Sequence, residues 1–219
     1  MVPNKRNKKI INIQYAHRYF VCGLFLQACN GSTATNSNSE PVENASNTVS
    51  ISGAVVKGPL QGALVFADAD GDGLQGQDEL SAITASDGSY TLPSANSLAT
   101  IIAITTPDTV DTSSGETLSG ITLKAPAGSK VVTPATTILE AQPDIQPAQL
   151  AVALGIPTTA ADGKAIDLTS FNPYAADADP AAALAAEKAA QQVMVTIRAV
   201  SAAAEGAGMS VEDAFDQAM

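Results

Sequence analysis

The chain of 219 residues contains no tryptophan, one histidine and two cysteines. The histidine is His17, and the cysteines, Cys22 and Cys29, also lie near the N-terminus. Downstream of residue 29 there is therefore no imidazole and no thiol. This excludes Ser-His-Asp and Cys-His nucleophilic sites, His-ligated zinc and disulfide bonds from that part of the chain.

Aromatic residues are also scarce, at 4% of the chain. A hydrolase that uses two carboxylates needs neither His nor Cys and stays open as an alternative, although few rings are present to stack on a sugar. The tripeptide Asp111-Thr112-Ser113 has the composition of an aspartic-protease motif, and we interpret it as an exposed surface loop. We expect that the protein is not an enzyme. The aromatic residues after residue 29, mostly expected in the core, are Phe66, Tyr90, Phe171, Tyr174 and Phe215.

Positive charge is concentrated at the N-terminus. Five of the 11 basic residues precede residue 20, whereas all 22 acidic residues lie at position 40 or later. Without its first 28 residues the chain would have six basic and 22 acidic residues, a net charge of −16. Nucleic-acid phosphates would repel such a body, so we expect no nucleic-acid partner.

The basic N-terminus precedes a short apolar run, residues 19–26, and then Gln27-Ala28-Cys29. This order is typical of an export signal, and the run is about half of the ~20 residues that a membrane span needs. Residues 26–29 resemble the lipobox of bacterial lipoproteins, although Gln27 is unusual there. The resemblance implies lipidation of Cys29 and a membrane anchor, and the alternative is an ordinary signal peptide. Residues 1–29 are therefore predicted as the signal.

The next segment, residues 30–48, is rich in Ser, Thr and Asn and nearly free of large apolar side chains. Such a composition cannot bury enough surface to fold, so we interpret the segment as a flexible tether. At ~20 residues its typical end-to-end distance is about 25 Å. The tether would hold the folded part close to a membrane.

The most specific motif is the acidic loop, residues 68–79. Aspartates occupy its positions one, three and five, a glycine position six and a glutamate position twelve, which is the spacing of an EF-hand calcium loop. Calcium binds six to eight oxygens, and the glycine allows the turn that directs the next carbonyl inward. The alternative is a solvated acidic hairpin without an ion. The expected Ca²⁺ ligands are Asp68, Asp70, Asp72, the carbonyl of Leu74, and Glu79.

The segments around this loop have the pattern of strands rather than of EF-hand helices. Residues 61–67 are apolar with Val and Phe, and residues 80–85 alternate between apolar and polar. Further strand patterns lie at residues 49–56, 90–92, 99–105 and 116–123, with an Asp87-Gly88 turn between the strands at 80–85 and 90–92. We predict six or seven strands that form an antiparallel β-sandwich over residues 49–125.

Residues 126–219 have helical patterns, so the predicted fold class is α+β, with an Ala-rich helical region after the sandwich. Thr133-Pro134 provides an N-cap and a first-turn proline, and Pro147 begins a second helix. The longest helix is predicted from Asp179-Pro180 to Glu205, and a last one covers residues 211–218. The predicted packing stripe of the longest helix comprises Ala186, Ala189, Val193, Ile197, Val200 and Ala204.

Residues 49–92 resemble the prealbumin-like β-sandwich modules of bacterial surface proteins, including the calcium-binding B-type repeats of adhesins. The shared features are residues 53–60, Gly62 to Asp68, the acidic loop and the turn Asp87-Gly88-Ser89-Tyr90. Residues 131–138, 154–157 and 166–169 are similar to the stretch that follows such modules. The resemblance implies an adhesive or structural module outside the cytoplasm. It also implies that the expected calcium ligands of the acidic loop bind the ion.

We therefore predict an exported, lipid-anchored protein of the bacterial cell surface or outer membrane with one structural calcium ion. Its partners would be calcium, the membrane through Cys29, and a surface protein or glycan. The alternative is an extracytoplasmic protein that binds a peptide or glycan ligand. A calcium sensor is disfavoured because sensors need paired helices and a Met-rich face.

Overall fold

The computed structural model of the chain describes residues 50–93 and 98–209. The expected signal with Cys29, the tether and the helix at 211–218 lie outside the described residues. Those described belong to one compact unit, residues 45–219. The described residues form ten strands, which are β1 Ile51–Val55, β2 Leu60–Gln61, β3 Leu64–Asp68, β4 Ser81–Ile83, β5 Ser89–Leu92, β6 Thr100–Ile104, β7 Val110–Asp111, β8 Glu116–Thr117, β9 Thr122–Ala125 and β10 Val131–Val132.

The strands form three sheets, with orders β10-β1-β5, β2-β7-β8 and β4-β3-β6-β9. All pairs are antiparallel except β1 with β10, where Val55 lies opposite Val132. The α+β class with antiparallel sheets is confirmed. The parallel pair differs from the wholly antiparallel arrangement that was predicted, and β10 lies in the region where helices were expected.

The main core cluster combines side chains from all three sheets. Strands β3 and β6 alternate their side chains, so Val65 and Ile101 face this cluster together with Val55 and Leu92 of the first sheet. The predicted strand 116–123 is interrupted, because Gly120 has φ 72° and separates β8 from β9. Leu118 and Ile121, on either side of this interruption, are still buried in the cluster.

In the part of the chain that the structure describes, three helices follow the strands: α1 Pro134–Ala141, α2 Pro147–Ala153 and α3 Pro180–Gly206. The predicted cap of α1 is present, since the Thr133 hydroxyl accepts from the Thr136 backbone N–H at 3.0 Å. At α3, Asp179 Oδ1 accepts from the backbone N–H of Ala182 at 2.9 Å. Within the described ranges, no helix is long and apolar enough to cross a membrane.

The predicted packing stripe of α3 is confirmed for its first four residues, from Ala186 to Ile197. Ala189 is buried against α1 and α2, and Ile197 is buried in the main core cluster. Val200, one turn further on, is 43% exposed. Met194 is buried in the core although it was not in the predicted stripe.

Candidate metal site

The acidic loop connects β3 to β4, as the sequence predicted. Leu64 lies opposite Ile83 and Phe66 opposite Ser81 in the antiparallel pairing of these strands. The loop therefore begins at the last residue of a buried strand, Asp68, and ends just before the edge strand β4. The local sequence explains this hairpin, because Val and Phe in β3 favour a strand and the glycines of the loop favour turns.

The structure brings together three of the predicted side-chain ligands. One carboxylate oxygen from each of Asp68, Asp70 and Glu79 lies within 4.8 Å of the other two, and the group could hold a metal ion. Asp68 is buried, Glu79 is half-buried and Asp70 is exposed. These are hard oxygen donors of the kind that Ca²⁺ and Mg²⁺ bind.

The other two predicted ligands are placed differently. Asp72 is not in the group of three, and its Oδ1 accepts from the backbone N–H of Leu74 at 2.8 Å. The Leu74 side chain is 57% exposed. Position six of the loop is as predicted, because Gly73 has φ 78°, which favours glycine.

Backbone N–H groups fix the two less exposed carboxylates. Asp68 accepts from the N–H groups of Gly71 at 2.8 Å and Gly73 at 3.1 Å. Glu79 accepts from Ala69 at 2.7 Å through Oε1 and from Gly76 at 2.9 Å through Oε2. Glu79, the expected bidentate ligand, is the last residue of the loop, and its carboxylate contacts the backbone at the start and in the middle of the loop. This one side chain therefore joins the two ends of the loop.

The ion pairs Lys57–Asp111 and Lys164–Asp162, both between described residues, do not involve a loop carboxylate. Two like charges 4.8 Å apart repel by ~1 kcal/mol in bulk water and by roughly 3 to 4 kcal/mol at an effective dielectric of 20. A divalent cation would replace this repulsion between the three carboxylates by attraction.

Our interpretation of Asp111-Thr112-Ser113 as a surface loop holds for Thr112 and Ser113, which are exposed in the turn between β7 and β8, but it was wrong for Asp111, which is buried at the end of β7. Asp111 is 2% exposed, and its Oδ2 pairs with Lys57 Nζ at 3.2 Å. Its Oδ1 accepts from the hydroxyl of Ser113 at 2.6 Å and from the backbone N–H of Ser113 at 3.0 Å. These groups of the protein itself supply the hydrogen bonds and the positive charge that the Asp111 carboxylate needs. This argues against a role of Asp111 as a free catalytic acid.

Two opposing effects act on the pKa of Asp111. Burial raises the pKa, but the hydrogen bonds from Ser113 and Lys57 and the charge of Lys57 outweigh burial, so the pKa lies below its ordinary value. Gly58, with φ 56°, allows the close approach, since a Cβ there would overlap Asp111 Oδ1 and Ser113 Oγ. Lys57 lies in the turn between β1 and β2, a position from which the sequence does not reveal Asp111 as its partner.

Comparison with known proteins adds nothing to this geometry. A scan against protein-family models, a search of the curated proteins and a search of the solved structures each returned no match. The function is therefore inferred from the residues and distances of the loop itself.

Proposed function

We propose that the protein is a calcium-stabilised module outside the cytoplasm, with a scaffolding or adhesive rather than a catalytic role. The observation that carries the proposal is the group formed by Asp68, Asp70 and Glu79 at the connection of β3 and β4. The EF-hand spacing of the loop favours Ca²⁺ over Mg²⁺, since it offers enough oxygens for a larger coordination shell than the octahedral one of Mg²⁺. Asp72 and the Leu74 carbonyl would join the three carboxylates on binding.

We further propose that the strands form a prealbumin-like β-sandwich. The main core cluster supports this proposal, because it joins side chains of the sheet that contains β1 to side chains of the sheet that contains β3. In this arrangement the ion would fix the hairpin that leads to β4, an edge strand of only three residues. Extracellular calcium modules have Kd values of ~10⁻⁴ to 10⁻³ M, so the site would be filled outside a cell.

Calcium binding is tested by thermal unfolding of the protein in a chelator and in ~10 mM CaCl₂. At one hundred times Kd, ligand linkage stabilises by about 2.7 kcal/mol, which is roughly 5 to 10 °C for a chain of this size. The double variant Asp70→Asn, Glu79→Gln should lose this shift. Asp78→Asn is the matched control, because Asp78 is an exposed carboxylate of the same loop outside the group of three, and it should keep most of the shift.

Equal midpoints of the parent protein in chelator and in calcium would reject the calcium site and leave the solvated acidic hairpin. A calcium shift that persists in the double variant would mean that the ion binds elsewhere. Titration calorimetry of the same proteins measures the stoichiometry, which we expect to be one ion per chain.

The export and anchor proposal rests on the sequence and needs its own test. In a bacterial host, we expect the full chain to incorporate labelled fatty acid and to fractionate with membranes, and Cys29→Ser to abolish both. Cys22→Ser is the matched control and should leave both unchanged. Export of the Cys29→Ser variant in soluble form, with no lipid on the parent chain, would instead support an ordinary signal peptide.

A role as a scaffold or adhesin is distinguished from ligand binding by the partner. A purified surface glycan or protein retained by the chain in calcium and released by chelator would support adhesion. Binding of a free peptide or sugar with no effect of calcium would favour the alternative of a ligand-binding protein.

A further inference from the structure

We draw no further inference here: the strongest candidate, the apolar cavity between α1, α3 and residues 168–174, has about 30 Å³ of free space, room for little more than water, and nothing in the structure shows what covers it.

Discussion

The Lys57–Asp111 pair and the acidic loop are two places where this strongly acidic chain buries a carboxylate, and they differ in the source of positive charge. Asp111 is 2% exposed and has a lysine ammonium at 3.2 Å. Asp68 is 7% exposed, its donors among the described residues are backbone N–H groups, and two more carboxylates lie nearby. One carboxylate is thus neutralised from within the chain, and under the proposed function the other would be neutralised by a cation from the solvent.

This difference predicts opposite responses to the environment. The internal pair should respond to mutation and to acid but not to calcium. The acidic loop should respond to calcium, and repulsion between its carboxylates should lower the stability of the folded state when calcium is absent.

Removal of the internal cation should be the most damaging change. Lys57→Met keeps much of the side-chain length but leaves the buried Asp111 without its ammonium, and breaking a buried pair in this way costs roughly 3 to 5 kcal/mol. Chemical denaturation measures the loss, which should be the same in chelator and in calcium. Lys164→Met is the matched control, because Lys164–Asp162 is a 2.7 Å pair between exposed side chains, and it should leave the midpoint unchanged. Equal effects of the two variants would contradict the buried role of Lys57.

The same pair should make stability depend on acid pH. Because the folded-state pKa of Asp111 is lowered, its contribution is present above the unfolded pKa of ~3.9 and is lost as the pH falls through the folded value. Asp111→Asn leaves Lys57 without an anion, so the variant should be much less stable than the parent at pH 7. The difference in unfolding midpoint should narrow below about pH 4. A constant difference from pH 7 to pH 2 would contradict the assignment.

In the acidic loop, one substitution should change the sign of its effect with calcium. Asp70→Asn removes a negative charge from the group of three, so in chelator it should stabilise by ~1 kcal/mol through reduced repulsion. In calcium it should destabilise, because the ion loses a ligand. Thermal melts of Asp70→Asn and of the control Asp78→Asn measure both signs, and the control should show no such reversal. A uniform effect of Asp70→Asn in both buffers would mean that no ion uses Asp70.

The smallest change should come from Asp72→Asn. This variant distinguishes the five ligands predicted from sequence from the three carboxylates that converge in the structure. Asp72 stands at loop position five but outside the group of three, and it accepts from Leu74 N–H. If Asp72 joins the shell, Asp72→Asn should weaken calcium binding several-fold in calorimetry, less than Glu79→Gln, which replaces the expected bidentate ligand. An unchanged Kd would restrict the side-chain ligands to Asp68, Asp70 and Glu79.

The features that could be predicted from sequence are local ones. The hairpin β3–loop–β4 lies within about twenty residues, and its strands and turn have their own residue patterns. The cap at Thr133 is equally local, since the donor and acceptor are three residues apart. Four strands of two residues, β2, β7, β8 and β10, are too short to show any alternation.

What could not be predicted depends on contacts between distant residues. Lys57 and Asp111 are 54 residues apart, and the turn pattern around Lys57 does not indicate which residue it pairs with. The parallel pairing of β1 with β10 joins Ala54 to Val131, a contact that tertiary packing selects. In the acidic loop, spacing predicted five ligands, but backbone hydrogen bonds decide which carboxylates converge.

The double contact of Glu79 has a kinetic consequence. Its carboxylate joins Ala69 and Gly76 by main-chain hydrogen bonds of 2.7 and 2.9 Å, so the loop has a closed outline of its own. If the loop binds an ion as proposed, the ion would enter and leave through the exposed side at Asp70 while β3 and β4 stay paired. We expect the ion to exchange faster than the protein unfolds. Occupancy of the site would then follow the surrounding calcium concentration, and the rigidity of this hairpin would change reversibly with that concentration.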